Sequence, residues 1–170
     1  MIFGDKKTFA VEAYLIQGNK YVFITYCFWI KGHRIGNMTE NTLLNSIQDL
    51  IKFVFLFRGK RPNNYCKTEY IKLTKDLISQ YVEDTNNFPP NMGSFHDECL
   101  QGYYIFLLEE NGFDLVLVKD DIDNKFIHAL IPKNNIYDCF KKLDTWINDS
   151  TVLVLRNYLD NLEKQSDKYK

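Results

Sequence analysis

No run of about 20 apolar residues occurs in the 170-residue chain, so no segment has the length of a membrane-spanning helix. The opening Met1-Ile2-Phe3-Gly4-Asp5-Lys6-Lys7 also lacks the basic-then-apolar order of a signal peptide. The expectation is a protein that stays in the cytoplasm and has no membrane partner. Cysteine is sparse: Cys27, Cys66, Cys99 and Cys139 are widely and irregularly spaced with no C-x-x-C pair, which excludes a zinc ribbon or a thioredoxin-like motif. Read that way, they are reduced packing residues. An excess of positive charge is missing too, with 21 lysines and arginines against 22 acidic residues, and near-neutrality argues against a partner that is nucleic acid. G-x-S-x-G, P-loop, G-x-G-x-x-G and H-E-x-x-H motifs are all absent, so a small-molecule substrate is not expected.

What is present is an ordinary globular composition, 45% hydrophobic and 25% charged, at a length that suits one domain over residues 1–170. The charge is uneven. Residues 1–96 carry 12 basic and 8 acidic side chains, residues 97–170 carry 9 and 14, so the halves stand at +4 and −5. Such asymmetry can steer an oppositely charged partner.

Two β-rich runs, TFAVEAYLI and YVFITYCFWI, flank Gln17-Gly18-Asn19-Lys20, where Gly-Asn suits a two-residue turn of type II′ or I′. With Gly18 and Asn19 as the loop, Ile16 faces Tyr21, Tyr14 faces Phe23, Ala10 faces Cys27 and Phe9 faces Phe28. Both faces of this ribbon are then largely apolar. It sits centrally in a sheet covered on both sides, or it leaves one aromatic face for a partner.

Leu43, Leu44, Ile47, Leu50, Ile51, Val54 and Phe55 recur at helical spacing, from a cap at Thr39 or Asn41 to Arg58-Gly59. A weaker helical period runs from Tyr70 to Tyr81, with Thr68 as cap. Asn111-Gly112 marks a type I′ hairpin between Tyr103–Glu110 and Phe113–Val118, and Lys125 to Ile131 adds a strand. Ile136, Cys139, Phe140, Leu143, Trp146 and Ile147 share a helical stripe that Asp149-Ser150 interrupts. Val152, Leu155, Leu159 and Leu162 suggest one more helix before a solvated tail from about residue 164. The fold class is α+β: a mostly antiparallel sheet built from two hairpins plus a further strand, with three to four helices packed on it.

Sites of bond-making chemistry are weakly represented. His96-Asp97-Glu98-Cys99 is the densest run of potential ligands, but neighbours on an extended segment point to opposite sides and cannot all reach one metal. Cys27 with His33, or Cys99 with His96 or His128, could in principle pair as nucleophile and base. Cys27, however, lies among Tyr26, Phe28 and Trp29 in a strand, where burial keeps a thiol inert. The Asp120-Asp121-Ile122-Asp123-Asn124-Lys125 turn lacks the sixth-position glycine and twelfth-position carboxylate of a calcium loop. Neither a cofactor nor a metal is implied. The acidic residues offer a binding surface instead: Asn111-Gly112 as turn sets Glu109 opposite Asp114 and beside Glu110, a repulsive arrangement. Together with Asp120, Asp121 and Asp123 these form one patch or two.

The residues that rise above pattern are Met1-Ile2-Phe3-Gly4-Asp5, Phe9-Ala10-Val11-Glu12 and Tyr26-Cys27-Phe28-Trp29-Ile30-Lys31-Gly32-His33-Arg34-Ile35-Gly36. This resembles the immunity protein 42 family of bacterial polymorphic toxin systems, in which M-I-x-G-[DN], F-A-[IV]-E and F-C-F-W-I-x-G-x-x-I-G recur in that order. The resemblance makes Gly4, Asp5, Phe28, Trp29, Gly32, Ile35 and Gly36 family-motif positions, which we read as structural, with Phe28-Trp29-Ile30 as core. It implies a cytoplasmic, non-enzymatic protein whose partner is a cognate toxin domain encoded nearby, blocked at its active site or substrate access. Toxins that act on anions through a basic cleft would be met by acidic residues, so Glu109, Glu110, Asp114, Asp120, Asp121 and Asp123 are the candidate toxin contacts. The rival readings are a small cysteine- or metal-dependent hydrolase and an effector adaptor that does not neutralise.

Overall fold

The computed structural model describes residues 1–18, 21–56, 59–60, 69–83, 91–93 and 98–166, with side chains through residue 153 except at residues 59 and 60. The fold is α+β. Its strands form two sheets where one was expected. The first contains β1 (Ile2–Asp5), β2 (Phe9–Gln17), β3 (Val22–Ile30), β4 (His33–Ile35) and β5 (Thr42–Leu43). Its order is β1-β2-β3, with β4 and β5 both pairing β3, and every pairing is antiparallel. The second sheet has the order β6-β7-β8-β9, from Gly59–Lys60, Tyr103–Glu110, Phe113–Asp120 and Lys125–Pro132, and only the β6–β7 pairing is parallel. The helices are α1 (Leu44–Leu56), α2 (Tyr70–Glu83) and α3 (Asn135–Ser166).

Strand alternation explains which way the first sheet faces. Phe9, Val11 and Ala13 of β2 pair with Ile30, Phe28 and Tyr26 of β3, and all six are buried in one core. That core also takes Ile47, Leu50, Ile51 and Val54 of α1, and Ile136, Phe140, Leu143 and Ile147 of α3. One face of the second sheet joins it through Ile105, Leu107, Val116 and Val118. The opposite face of that sheet, with Phe106, Leu108, Leu115 and Leu117, packs on Leu73 and Leu77 of α2. The second hairpin is thus buried on both faces, which accounts for its unbroken apolar runs.

Three expectations change. The first hairpin pairs Gln17 with Val22, Ile16 with Phe23, Tyr14 with Thr25, Ala10 with Trp29 and Phe9 with Ile30, so its loop holds two more residues than a Gly-Asn turn. The Gly18 amide donates to the Tyr21 carbonyl at 2.9 Å across this longer loop. A shift of two residues preserves strand parity, so each side chain keeps its face. Second, α1 begins at Leu44, because Thr42 and Leu43 pair with β3. Third, Asp149-Ser150 does not interrupt the last helix, which is one continuous element. Either residue costs only about 0.5 kcal/mol in a helix interior, well below what the buried stripe before them supplies. In the expected tail the backbone is helical through Ser166, and residues 167–170 lie outside the described residues, as do Thr68 and Cys66. The Asn111-Gly112 hairpin has the expected register, with Glu110 paired to Phe113 and Glu109 to Asp114, and positive φ of 47° and 83° at its turn.

Candidate functional site: two acidic turns and an open sheet face

The acidic residues separate into two groups. Glu109, Glu110 and Asp114 lie at the Asn111-Gly112 end of the β7–β8 ladder, and Asp120, Asp121 and Asp123 at the other, where Tyr103 pairs with Asp120. Eight residues of strand at about 3.3 Å each separate the ends by roughly 23 Å. Several of these carboxylates serve the fold. Asp114 is fully buried and Glu110 nearly so. The Asp120 carboxylate accepts from the Ile122 and Asp123 amides at 2.9 and 3.0 Å, shaping the turn. The more exposed three have lysine partners: Lys133 on Glu109 at 2.7 Å, Lys119 on Asp121 at 3.3 Å and Lys125 on Asp123 at 2.6 Å. Asp123 in turn raises the Lys125 pKa by its hydrogen bond. The repulsion expected between Glu109 and Asp114 is relieved from outside the pair by Lys133.

The first sheet presents a different surface. Its inner face is covered by α1 and α3; on its outer face, among the described residues, no α-helix packs, although Ala10, Cys27 and Thr25 are buried there and the 98–100 turn lies against β3. Register places Ile2, Glu12 and Cys27 in one row of that face, Tyr14 and Thr25 in the next, and Ile16, Phe23 and Leu43 in a third. Trp29 and Arg34 pair at its other end. Tyr14, Ile16 and Leu43 are 47%, 42% and 49% exposed. The face is thus exposed at its Tyr14, Ile16 and Leu43 end and buried at Ala10, Cys27 and Thr25, between the two outcomes that a doubly apolar ribbon allows.

One polar network crosses this face. Glu12 accepts from Lys6 Nζ at 2.7 Å, the Trp29 indole Nε1 at 2.8 Å and the Tyr14 hydroxyl at 2.9 Å. Lys6 also lies 4.0 Å from the centre of the Trp29 ring. The Lys6 hydrogen bond, helped by those of Trp29 and Tyr14 and opposed by burial, holds the Glu12 carboxyl down to about 2. The same contact raises the Tyr14 hydroxyl. Trp29 therefore differs from its neighbours in the expected aromatic core run: Phe28 and Ile30 are buried inside, whereas Trp29 points outward and stays partly exposed.

Among the described residues the proposed nucleophiles and bases are not brought together, and the Cys99–His96 pairing lies outside them. Burial pushes the Cys27 and Cys139 thiols up to about 11, and the Cys139 thiol faces the Phe9 carbonyl at 3.6 Å. Cys99 is buried in a short 3-10 turn, Glu98–Leu100, its thiol 3.4 Å from the Glu40 carbonyl. His96 and Asp97 lie outside the described residues. His33 and His128 are exposed on different sheets, and His128 stacks on Tyr70 at 4.2 Å with its pKa lowered by burial and by Lys31. Among the described residues no three of His, Cys, Asp and Glu gather as metal ligands, and no helix is long and apolar enough to cross a membrane.

The motif positions explain their residue types. The Asp5 carboxylate accepts from the Lys7 amide at 2.9 Å and its carbonyl from the Thr8 amide at 3.0 Å, building the β1–β2 turn. Gly4 backs onto the Phe9 carbonyl and the Cys139 thiol. Gly32 forms the β3–β4 turn with Lys31, and Ile35 is buried in the main core. Gly36 has a φ of 114°, and a Cβ there would stand 2.9 Å from the Cys99 carbonyl oxygen. A model of the immunity protein 42 family matches residues 1–146. The chain belongs to the immunity protein 42 family. Among solved structures, this immunity protein 42 chain is similar to the crystal structure of CdiI from Burkholderia dolosa AUO158, with a TM-score of 0.66 and 12% identity over 85% of this chain and 99% of that one. That likeness is one of fold. A DNA mismatch repair protein, HSM3 of Saccharomyces cerevisiae, is 23% identical over 120 residues, 65% of this chain. The chain spans 23% of that protein's length.

Proposed function

We propose that this chain is the cytoplasmic antidote to a toxin domain encoded beside it, and that it binds that domain and occludes its active site or the path of its substrate. The observation that carries the reading is the family match over residues 1–146. Protein chemistry supports it: the described thiols are buried, and the surface offers an apolar sheet face and ion-paired turns of the kind that fit another protein. Neutralisation by this route needs no bond made or broken by the chain itself. Glu109, Asp121 and Asp123 reach solvent but are each held by a lysine, while Glu110, Asp114 and Asp120 are largely buried.

Co-expression with the neighbouring toxin-like reading frame tests the proposal, with recovery of growth as the expected result. In vitro, toxin activity should fall linearly with added antidote and end at one chain per toxin. An end point far below one to one would mean turnover and would favour the hydrolase. A stable complex in which the toxin stays active would favour the adaptor.

A further inference from the structure

We infer that the toxin docks on the outer face of the first sheet, through a surface that carries carboxylates beside apolar side chains. The inference rests on the antidote reading and names the site and the partner's chemistry. Two halves of the face differ in character. Tyr14, Ile16, Phe23 and Leu43 form the apolar half, with Tyr14, Ile16 and Leu43 each more than 40% exposed. At the other half stand Trp29 and Arg34, with Lys7 at the adjoining β1–β2 turn. Lys7 and Arg34 form no ion pair among the described residues, whereas Glu12, the carboxylate in the middle of the face, is already held by Lys6.

An unsatisfied basic rim beside an apolar centre is complementary to carboxylates flanking apolar groups. Only β2 and β3 are long, nine residues each, and the strands beside them have two to four, so the face is smaller than the roughly 800 Å² per partner of a standard interface and the basic rim falls inside the contact. A second copy of this chain would set Glu12, already held by Lys6, Trp29 and Tyr14, against that rim. Nucleic acid is disfavoured by the Glu12 carboxylate at the centre and by Ile16 and Leu43, which cannot stack on bases. The acidic turns belong to the other sheet, so charge reversal separates the two surfaces.

The test uses the full chain and the toxin domain from the neighbouring reading frame, disabled catalytically, in a kinetic binding assay. Circular dichroism and melting check each variant, and the substitutions sit at exposed positions where the fold tolerates charge. Ile16→Glu with Leu43→Glu should weaken binding at least 100-fold, mainly through faster dissociation. Lys7→Glu with Arg34→Glu should slow association at least 10-fold at low salt, an effect that fades as salt is raised. Glu109→Lys with Asp121→Lys and Asp123→Lys should stay within about 3-fold of native. Native affinity in the two face variants overturns the inference; if the acidic-turn variant then loses binding, the antidote reading survives with its surface elsewhere. If the native chain neither binds nor protects, both fall. Displacement of the toxin domain by a single-stranded oligonucleotide, or self-association lost in the Ile16→Glu with Leu43→Glu variant, likewise overturns it.

Discussion

Glu12 shows how one carboxylate can organise a surface. Its three donors come from the β1–β2 turn, from β3 and from its own strand, so the ion ties three chain segments at one point. Hydrogen bonds to a charged group contribute about 1.5–3 kcal/mol each when buried and less where water competes, so Glu12→Gln should cost about 1–2 kcal/mol overall. The pH dependence follows from linkage. The folded-state value of about 2 lies below the ordinary 4.5, so the folded chain binds fewer protons; the stabilisation is complete above pH 4.5 and is lost as pH falls toward 2. Urea unfolding from pH 6 to 2 should show native and Glu12→Gln chains converging in stability over that window. A gap that stays constant would refute the assignment. The thiols make a second residue-scale prediction. Cys27, Cys99 and Cys139 are buried, and two of them are pushed up to about 11, so alkylation mapped by mass spectrometry should label all three only on unfolding.

Among the elements, legibility in the sequence tracked the strength of a local physical signal. Asn111-Gly112 specified both turn and register, because few residue pairs tolerate two positive φ values in succession. The stripe in α3 was readable up to Ile147, since it is buried on one face only. Strands β1, β4, β5 and β6 were not, because two to four residues cannot display a period of two. Gly18-Asn19 misled by two residues, the longer loop satisfying the same face pattern equally well. The acidic residues were visible as charges, but their lysine partners depend on cross-strand and loop geometry that composition cannot reveal. Whether the first ribbon is covered on both sides was undecidable for a related reason: its residues are apolar on both faces, and only the position of α2, against the second sheet and not the first, decides it. Gly36 closes the first sheet at β4, where added atoms meet backbone. Gly36→Ala should therefore cost about 2–3 kcal/mol, from positive-φ strain plus the approach to the Cys99 carbonyl, and show it as a lower denaturant midpoint with an unchanged m-value.

For the molecule as a whole, the two hydrophobic clusters are unequal, and stability should follow. The larger unites the inner face of the first sheet, α1, α3 and one face of the second sheet; the smaller holds α2 by Leu73 and Leu77 against Phe106, Leu108, Leu115 and Leu117. Opening α2 exposes only the smaller cluster, whereas opening β2–β3 dismantles the larger one, so the local free energies must differ. Native-state hydrogen exchange should find the slowest amides in β2, β3 and the β7–β8 hairpin, and faster exchange along α2. Leu77→Ala, which empties a site 2% exposed, should cost about 2–4 kcal/mol in the local stability of α2. If that loss stays local, exchange in β2 and β3 is unchanged and the first sheet keeps its outer face intact, so toxin binding survives. Uniform acceleration across both clusters would instead mean that the two unfold as one unit. That outcome would make the open face dependent on a helix packed against the other sheet.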